Sequence, residues 1–199
     1  MTLVNVRKSP LLAPFTPLGT DRLSLVALSL EHAPFVFAYA SDPEISRLSA
    51  MPRHETLADS RRFVARCLVA YAQGGHYEWG LVRRTDHEFL GCCGFGNIDF
   101  GLRSAELSFV LSRPHWGHGY ATEAAAALIH FGFARLGLWT IQAEAFDENA
   151  RSARVLSKLG LRYHGHKLMS REQGPARAIS FWQIERNQWM PETAQRLMA

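Results

Sequence analysis

The chain is poor in cysteine and has no long apolar run and no block of one charge. Cys67, Cys92 and Cys93 are its three cysteines among 199 residues, too few for a disulfide framework. Cys92 and Cys93 are adjacent, and successive residues on a strand point to opposite faces, so they neither pair nor share a metal readily. This usage suits a reducing compartment, and a cytoplasmic protein is expected. The most apolar stretch, 124–134, contains His130 and is far too short to span a bilayer, so no membrane partner is expected. Arg7 and Lys8 are not followed by an apolar segment, which argues against a signal peptide. Lys and Arg number 22 against 18 Asp and Glu, a net charge of +4. Without a dense basic run, that excess reads as a slightly basic surface and gives no strong nucleic-acid signal. Internal repeats and low-complexity tracts are also missing.

What is present is an ordinary globular composition, with 47% apolar and 20% charged residues, and enough length for one domain with a real core. Residues 1–20 carry Pro10, Pro14 and Pro17 and read as an arm lying on a domain of residues 21–190, with 191–199 as a tail. The periodicities predict strands at 23–26, 78–84, 89–97, 105–111, 139–146, 161–168 and 178–186. Helices are predicted at 30–40, 44–48, 57–72, 122–136 and 149–159. Pro34 favours a start nearer Ala33 for the first helix, and Gly74-Gly75, Gly137 and Gly160 stop three of the others. This order implies an α/β (α+β) fold, a mixed sheet with helices on both faces.

Residues 113–124, RPHWGHGYATEA, join the end of an apolar strand to an alanine-rich helix. Gly117 and Gly119 let the backbone take positive φ and come close to a ligand. Strand, glycine turn and helix N-terminus together gather free N–H groups and the positive end of a dipole, an arrangement that binds phosphate. In the preceding strand Leu107, Phe109 and Leu111 face one way, and Glu106, Ser108 and Val110 the other. Glu106 therefore lies on the strand that delivers the ligand, where a carboxylate can act as general base directly or through water; a salt-bridged surface glutamate is the plainer reading. Asn149 is a natural N-cap for the following helix and is also placed to bond an amide-bearing ligand. Ser152, one turn on, is a proton donor for a leaving group or an ordinary helix serine.

A strand followed by WGxGYATEA, then a helix and a strand later by NxxSxxxLxKLG, resembles the GNAT superfamily of N-acetyltransferases, and within it the RimJ/RimL branch that acetylates ribosomal-protein N-termini. The resemblance runs from TDRLSL near Thr20 to RNQW at Trp189. It implies a mostly antiparallel sheet of about seven strands with a splayed central cleft, acetyl-CoA as cosubstrate and no metal. It also implies that Trp116, Gly117, His118, Gly119, Tyr120 and Ala121 offer backbone N–H groups to the pyrophosphate, with the Thr122 hydroxyl beside them. Val110 and Leu111 would pair with the pantetheine amides as an added strand does, and Asn149 would hold the cosubstrate from the other side of the cleft.

Transfer in such enzymes is direct attack of a neutral amine on the thioester. An α-amine near ~7.7–8.0 asks less of a base than a lysine near ~10.4. Glu106 would take the proton, the N–H of Val110 or Leu111 would meet the oxyanion, and Ser152 would protonate the thiolate. The acceptor implied is a peptide N-terminus or a small-molecule amine, and a homodimer is plausible for the architecture. The sequence departs from the family in three places. Arg177 and Ala178 stand where acidic or His residues are frequent in this branch, which points to a different acceptor. Two further departures touch the cosubstrate site. Pro114 stands where Arg or Gln often opens the phosphate motif, and Leu156 stands where a tyrosine acid is common, seven residues after Asn149. These departures keep a non-catalytic acyl-CoA sensor as the alternative. Glu144 is a second candidate base. His115 and His118 have metal-site spacing but no third ligand, and His164 with His166 reads as a solvent-facing pair.

Overall fold

A computed structural model describes residues 15–73, 76–169 and 176–189. Its single sheet has the order β1 (Leu18–Gly19), β2 (Leu23–Ala27), β3 (Tyr77–Arg83), β4 (Phe89–Asp99), β5 (Ser104–Leu111), β6 (Thr140–Phe146), β8 (Arg177–Glu185) and β7 (Arg162–Met169). Every neighbouring pair is antiparallel except β5 with β6. The helices are α1 (Ala33–Ala40), α2 (Pro43–Leu48), α3 (Leu57–Gln73), α4 (Tyr120–Ala134) and α5 (Ala150–Lys158).

The sheet has eight strands where about seven were anticipated from sequence. The extra one, β1, has only two residues and falls in the stretch read as an arm; two residues carry no period. The described part of that arm is fastened to the domain. Trp79 Nε1 donates to the Thr16 carbonyl at 2.9 Å, and the Phe15 ring lies 4.9 Å from Tyr71 and 5.0 Å from Trp79. Residues 1–14 of the arm, Gly74-Gly75 and the 191–199 tail lie outside the described residues.

The core lies on both faces of the sheet. Behind it, α4 buries Leu128, Ile129 and Phe133 against a cluster that includes Trp79, Cys93, Phe95 and Leu107. The run Ala124–Ala127 is buried too, and small side chains there let the helix axis approach the strands. In front, α1 and α3 bury Val36, Tyr39, Val64 and Cys67 in a cluster that takes Cys92 from the sheet. Cys92 and Cys93 thus sit on opposite faces, as strand alternation requires, and all three cysteines are free. Each fully buried leucine or phenylalanine contributes about 1.5–3 kcal/mol.

One irregularity in the sheet shapes the cleft. The parallel strands β5 and β6 pair only from Ser104 with Thr140 to Glu106 with Gln142. Past that point β5 keeps to β4 as far as Leu111, and β6 keeps to β8 as far as Phe146. Each strand follows its antiparallel partner, so the sheet opens into a wedge whose apex is at Glu106.

Candidate active site

The wedge leads into a cleft of about 870 Å³ bounded by β5, β6, the N-terminal ends of α4 and α5, and the α1–α3 layer. Its far end is the turn before α4. Gly117 and Gly119 have φ of 81° and 83°, values open to glycine but strained for any residue with a Cβ. Gly119 is the N-cap of α4 and makes no side-chain cap bond. The first N–H to close the helix is that of Glu123, donating to the Gly119 carbonyl at 3.0 Å. The N–H groups of Tyr120, Ala121 and Thr122 therefore have no helical partner. The helix begins two residues earlier than the sequence suggests, because left-handed Gly119 lets Tyr120 enter the first turn.

These residues fit a diphosphate. A Cβ at Gly117 would meet nothing within 4 Å, so the approach is open, and the dipole of a 15-residue helix favours an anion there. Trp116, Gly117, Gly119, Tyr120, Ala121 and Thr122 all border the cleft. His118 does not. It is exposed, its ring stacks on Tyr120 at 6.0 Å, and its carbonyl accepts from Arg22 Nη1 at 2.9 Å. The indole of Trp116 donates to the Leu111 carbonyl at 2.8 Å, pinning the turn to the end of β5.

The backbone of β5 corrects one assignment. Ser112 N–H donates to the Leu90 carbonyl of β4 at 2.9 Å. Antiparallel ladders alternate every second residue, so Val110 also turns its N–H toward β4. The amides facing the open wedge belong to Phe109 and Leu111, and Val110 offers the cleft its side chain. The Leu111 N–H is therefore free to meet a ligand in the wedge. That of Val110 is not, because it is spent within the sheet.

Across the cleft, Asn149 caps α5: its Oδ1 accepts from Ser152 N–H at 3.1 Å, and its Nδ2 donates to the Leu48 carbonyl of α2 at 2.8 Å. Both Asn149 and Ser152 border the cleft. The position of the absent tyrosine does not. Leu156 is 1% exposed in the core, and the cleft face of α5 carries Arg151, Ser152, Arg154, Val155 and Lys158 instead. Arg151 lies 5.0 Å from the Trp116 ring. This basic stripe, a second source of positive charge near the turn, escaped the sequence reading, although its spacing along one helix face was available to it.

Glu106 stands at the apex and accepts from Asn97 Nδ2 at 2.8 Å. Glu144 borders the cleft from β6 and lies 3.4 Å from Lys167 Nζ. Arg113 is engaged by Asp42 at 2.9 Å, and His115 Nε2 lies 3.2 Å from Glu88. Tyr163 hydroxyl meets His166 Nδ1 at 2.9 Å on exposed β7. Two floor residues were missed altogether, His76 and Glu78. The available signal was a glutamate inside the otherwise uncharged run YEWGL. Burial raises the Glu78 carboxyl above its usual range, and hydrogen bonding to that carboxylate raises the His76 ring.

The family model for the acetyltransferase (GNAT) domain matches residues 22–162. An uncharacterized N-acetyltransferase of Bacillus licheniformis is 32% identical over 148 residues, covering 74% of this chain and 83% of its own length. A GNAT-family acetyltransferase from Bacillus anthracis superposes with a TM-score of 0.78 at 24% identity, over 86% of this chain and 99% of that one. RimL, a ribosomal alpha-N-protein acetyltransferase solved with coenzyme A, superposes with a TM-score of 0.77 at 15% identity, over 85% and 98% of the two chains.

Proposed function

The chain belongs to the GNAT acetyltransferase family, and from that premise we propose that it moves the acetyl group of acetyl-CoA to a primary amine, either a peptide N-terminus in the manner of the RimJ/RimL branch or a small-molecule amine. The observation that carries this reading is the parting of β5 from β6 after Glu106, which opens onto the uncapped N-terminus of α4.

The cradle of Gly117, Gly119, Tyr120, Ala121 and Thr122 holds the diphosphate, and Arg151, Arg154 and Lys158 supply further positive charge. The wedge edge of β5 at Phe109 and Leu111 takes the pantetheine amides in the manner of strand addition, with Asn149 opposite. One of those N–H groups faces the oxyanion that develops when the amine attacks. The Glu106 carboxylate meets the amine at the apex, and the Ser152 hydroxyl serves the departing sulfur. Three free, buried cysteines suit a cytoplasmic setting.

The experiment is acetyl-CoA-dependent thiol release with a panel of tripeptides, polyamines and free amino acids. The reading requires turnover with at least one of them. Tight acetyl-CoA binding with no turnover of any amine would favour the non-catalytic sensor instead.

A further inference from the structure

Glu78 is a carboxylate in a strand that otherwise buries itself. The first five residues of β3 are all buried, and Glu78 is only 7% exposed. The register Glu78 with Gly94 and Gly94 with Ser108 puts it in a row running across β3, β4 and β5, where it borders the cleft beside His76, Cys92, Glu106 and Ser108. The neighbouring strand is cut away to admit it. A Cβ at Gly94 would lie 2.7 Å from Glu78 Oε2, and one at Gly96 would lie 3.2 Å from His76 Nδ1. His76 Nε2 is 3.4 Å from Glu78 Oε2, and among the described residues it is the only ionic partner of that carboxylate. Glu106 pairs with Gly96, so it adjoins the same imidazole.

The other titratable groups around Glu78 are neutral near pH 7. Tyr39 of α1, Tyr71 and Cys67 of α3, and Cys92 and Cys93 of β4 are all pushed up by burial, Cys67 to about 12. Of the charged groups, His76 lies beside it and Glu106 across Gly96, and Arg62 and Arg66 of α3, Asp59 and Glu144 also line the cleft. A buried carboxylate with a raised pKa is a better proton acceptor at neutral pH than an ordinary one. Glu106 is half-exposed and already accepts a hydrogen bond from Asn97 Nδ2.

We propose that Glu78 and His76 form the proton-accepting pair of the transfer reaction: Glu78 takes the proton of the incoming ammonium, His76 passes it to solvent, and Glu106 binds the ammonium. This rests on the acetyl-transfer reading and moves the base from Glu106 to a residue deeper in the cleft. The proton leaves the ammonium nitrogen for a Glu78 oxygen, and the freed lone pair bonds the thioester carbonyl carbon. The carbon–sulfur bond breaks, its electron pair leaves on sulfur, and the second nitrogen proton reaches that sulfur directly or through Ser152. Amide and thiol are formed, and the first proton departs through the His76 ring, whose side chain is 41% exposed.

The test compares wild type with Glu78→Gln, His76→Gln and Glu106→Gln, using the best amine from a panel of tripeptides, polyamines and amino acids at saturating acetyl-CoA. Glu78→Gln is expected to lower kcat by about 100-fold or more, to remove the acidic limb of the pH–rate profile, and to leave acetyl-CoA affinity unchanged. His76→Gln moves that limb to higher pH, because the imidazole lowers the Glu78 carboxyl. Glu106→Gln chiefly raises KM for the amine. Glu78→Gln is also expected to melt at or above the wild-type temperature at pH 8, which separates a functional carboxylate from a structural one. Wild-type-like turnover by Glu78→Gln, or a loss of turnover that tracks lost stability or lost acetyl-CoA binding, overturns the proposal alone. A wild type that turns over no amine overturns the acetyl-transfer reading as well.

Discussion

The Glu123 carboxylate lies 2.6 Å from Arg22 Nε beneath the glycine turn, and it also accepts from the Arg22 backbone N–H at 2.9 Å and from the Thr20 hydroxyl. Arg22 in turn donates to the His118 carbonyl and lies 4.6 Å from the Tyr120 ring. A buried acid in the first turn of α4 thus ties the phosphate cradle to the hairpin of β1 and β2.

Replacing that acid should loosen the cradle as well as the fold. Glu123→Ala leaves the Thr20 hydroxyl and the Arg22 N–H without their acceptor, a cost of about 1–3 kcal/mol; the half-exposed guanidinium adds little, since solvent screens it. Chemical denaturation should show that loss and calorimetry should show weaker coenzyme A binding. A destabilised protein with unchanged affinity would separate the anchor from the site.

Gly119→Val should abolish coenzyme A binding. The position is left-handed, with φ of 83°, so a β-branched residue there is strained by about 1–3 kcal/mol, and its Cβ would lie 3.3 Å from Arg22 Nη2 at the foot of the cradle. Affinity equal to wild type in a folded variant would remove the cradle.

Leu156→Tyr tests the missing acid. The side chain is 1% exposed, so a tyrosine there overpacks the core at a cost of about 1–3 kcal/mol and does not reach the cleft. The expected outcome is a lower melting temperature with no gain in kcat. A gain would show that α5 presents this position to the thioester.

Stability should fall as pH rises from the ordinary carboxylate range through the ordinary histidine range. Folding raises both Glu78 and His76, so over that interval the native chain holds protons that the unfolded chain has released, and the unfolded state gains on it. Glu78→Gln removes the buried carboxylate and the charge that raises His76. Denaturation midpoints measured across this interval should be flatter for the variant, and parallel curves would refute it.

The sequence disclosed the turn and helix because glycines, a strand end and a cap lie within twelve consecutive residues, and local chemistry sets their geometry. Asn149 and Ser152 were legible for the same reason. Glu78 and His76 were not, since their meaning comes from Gly94 and Gly96 on another strand. The direction of the Val110 amide was hidden too; it depends on the ladder with β4, and side-chain alternation says nothing of it. The burial of Leu156 was hidden as well, because a motif offset does not say which face of α5 turns to the core.

A crystal grown with coenzyme A tests the central claim most directly. The diphosphate should lie against the N–H groups of Gly117, Gly119, Tyr120, Ala121 and Thr122, with the pantetheine along Phe109 and Leu111. A diphosphate bound elsewhere, with this turn left to solvent or covered by side chains, would contradict it.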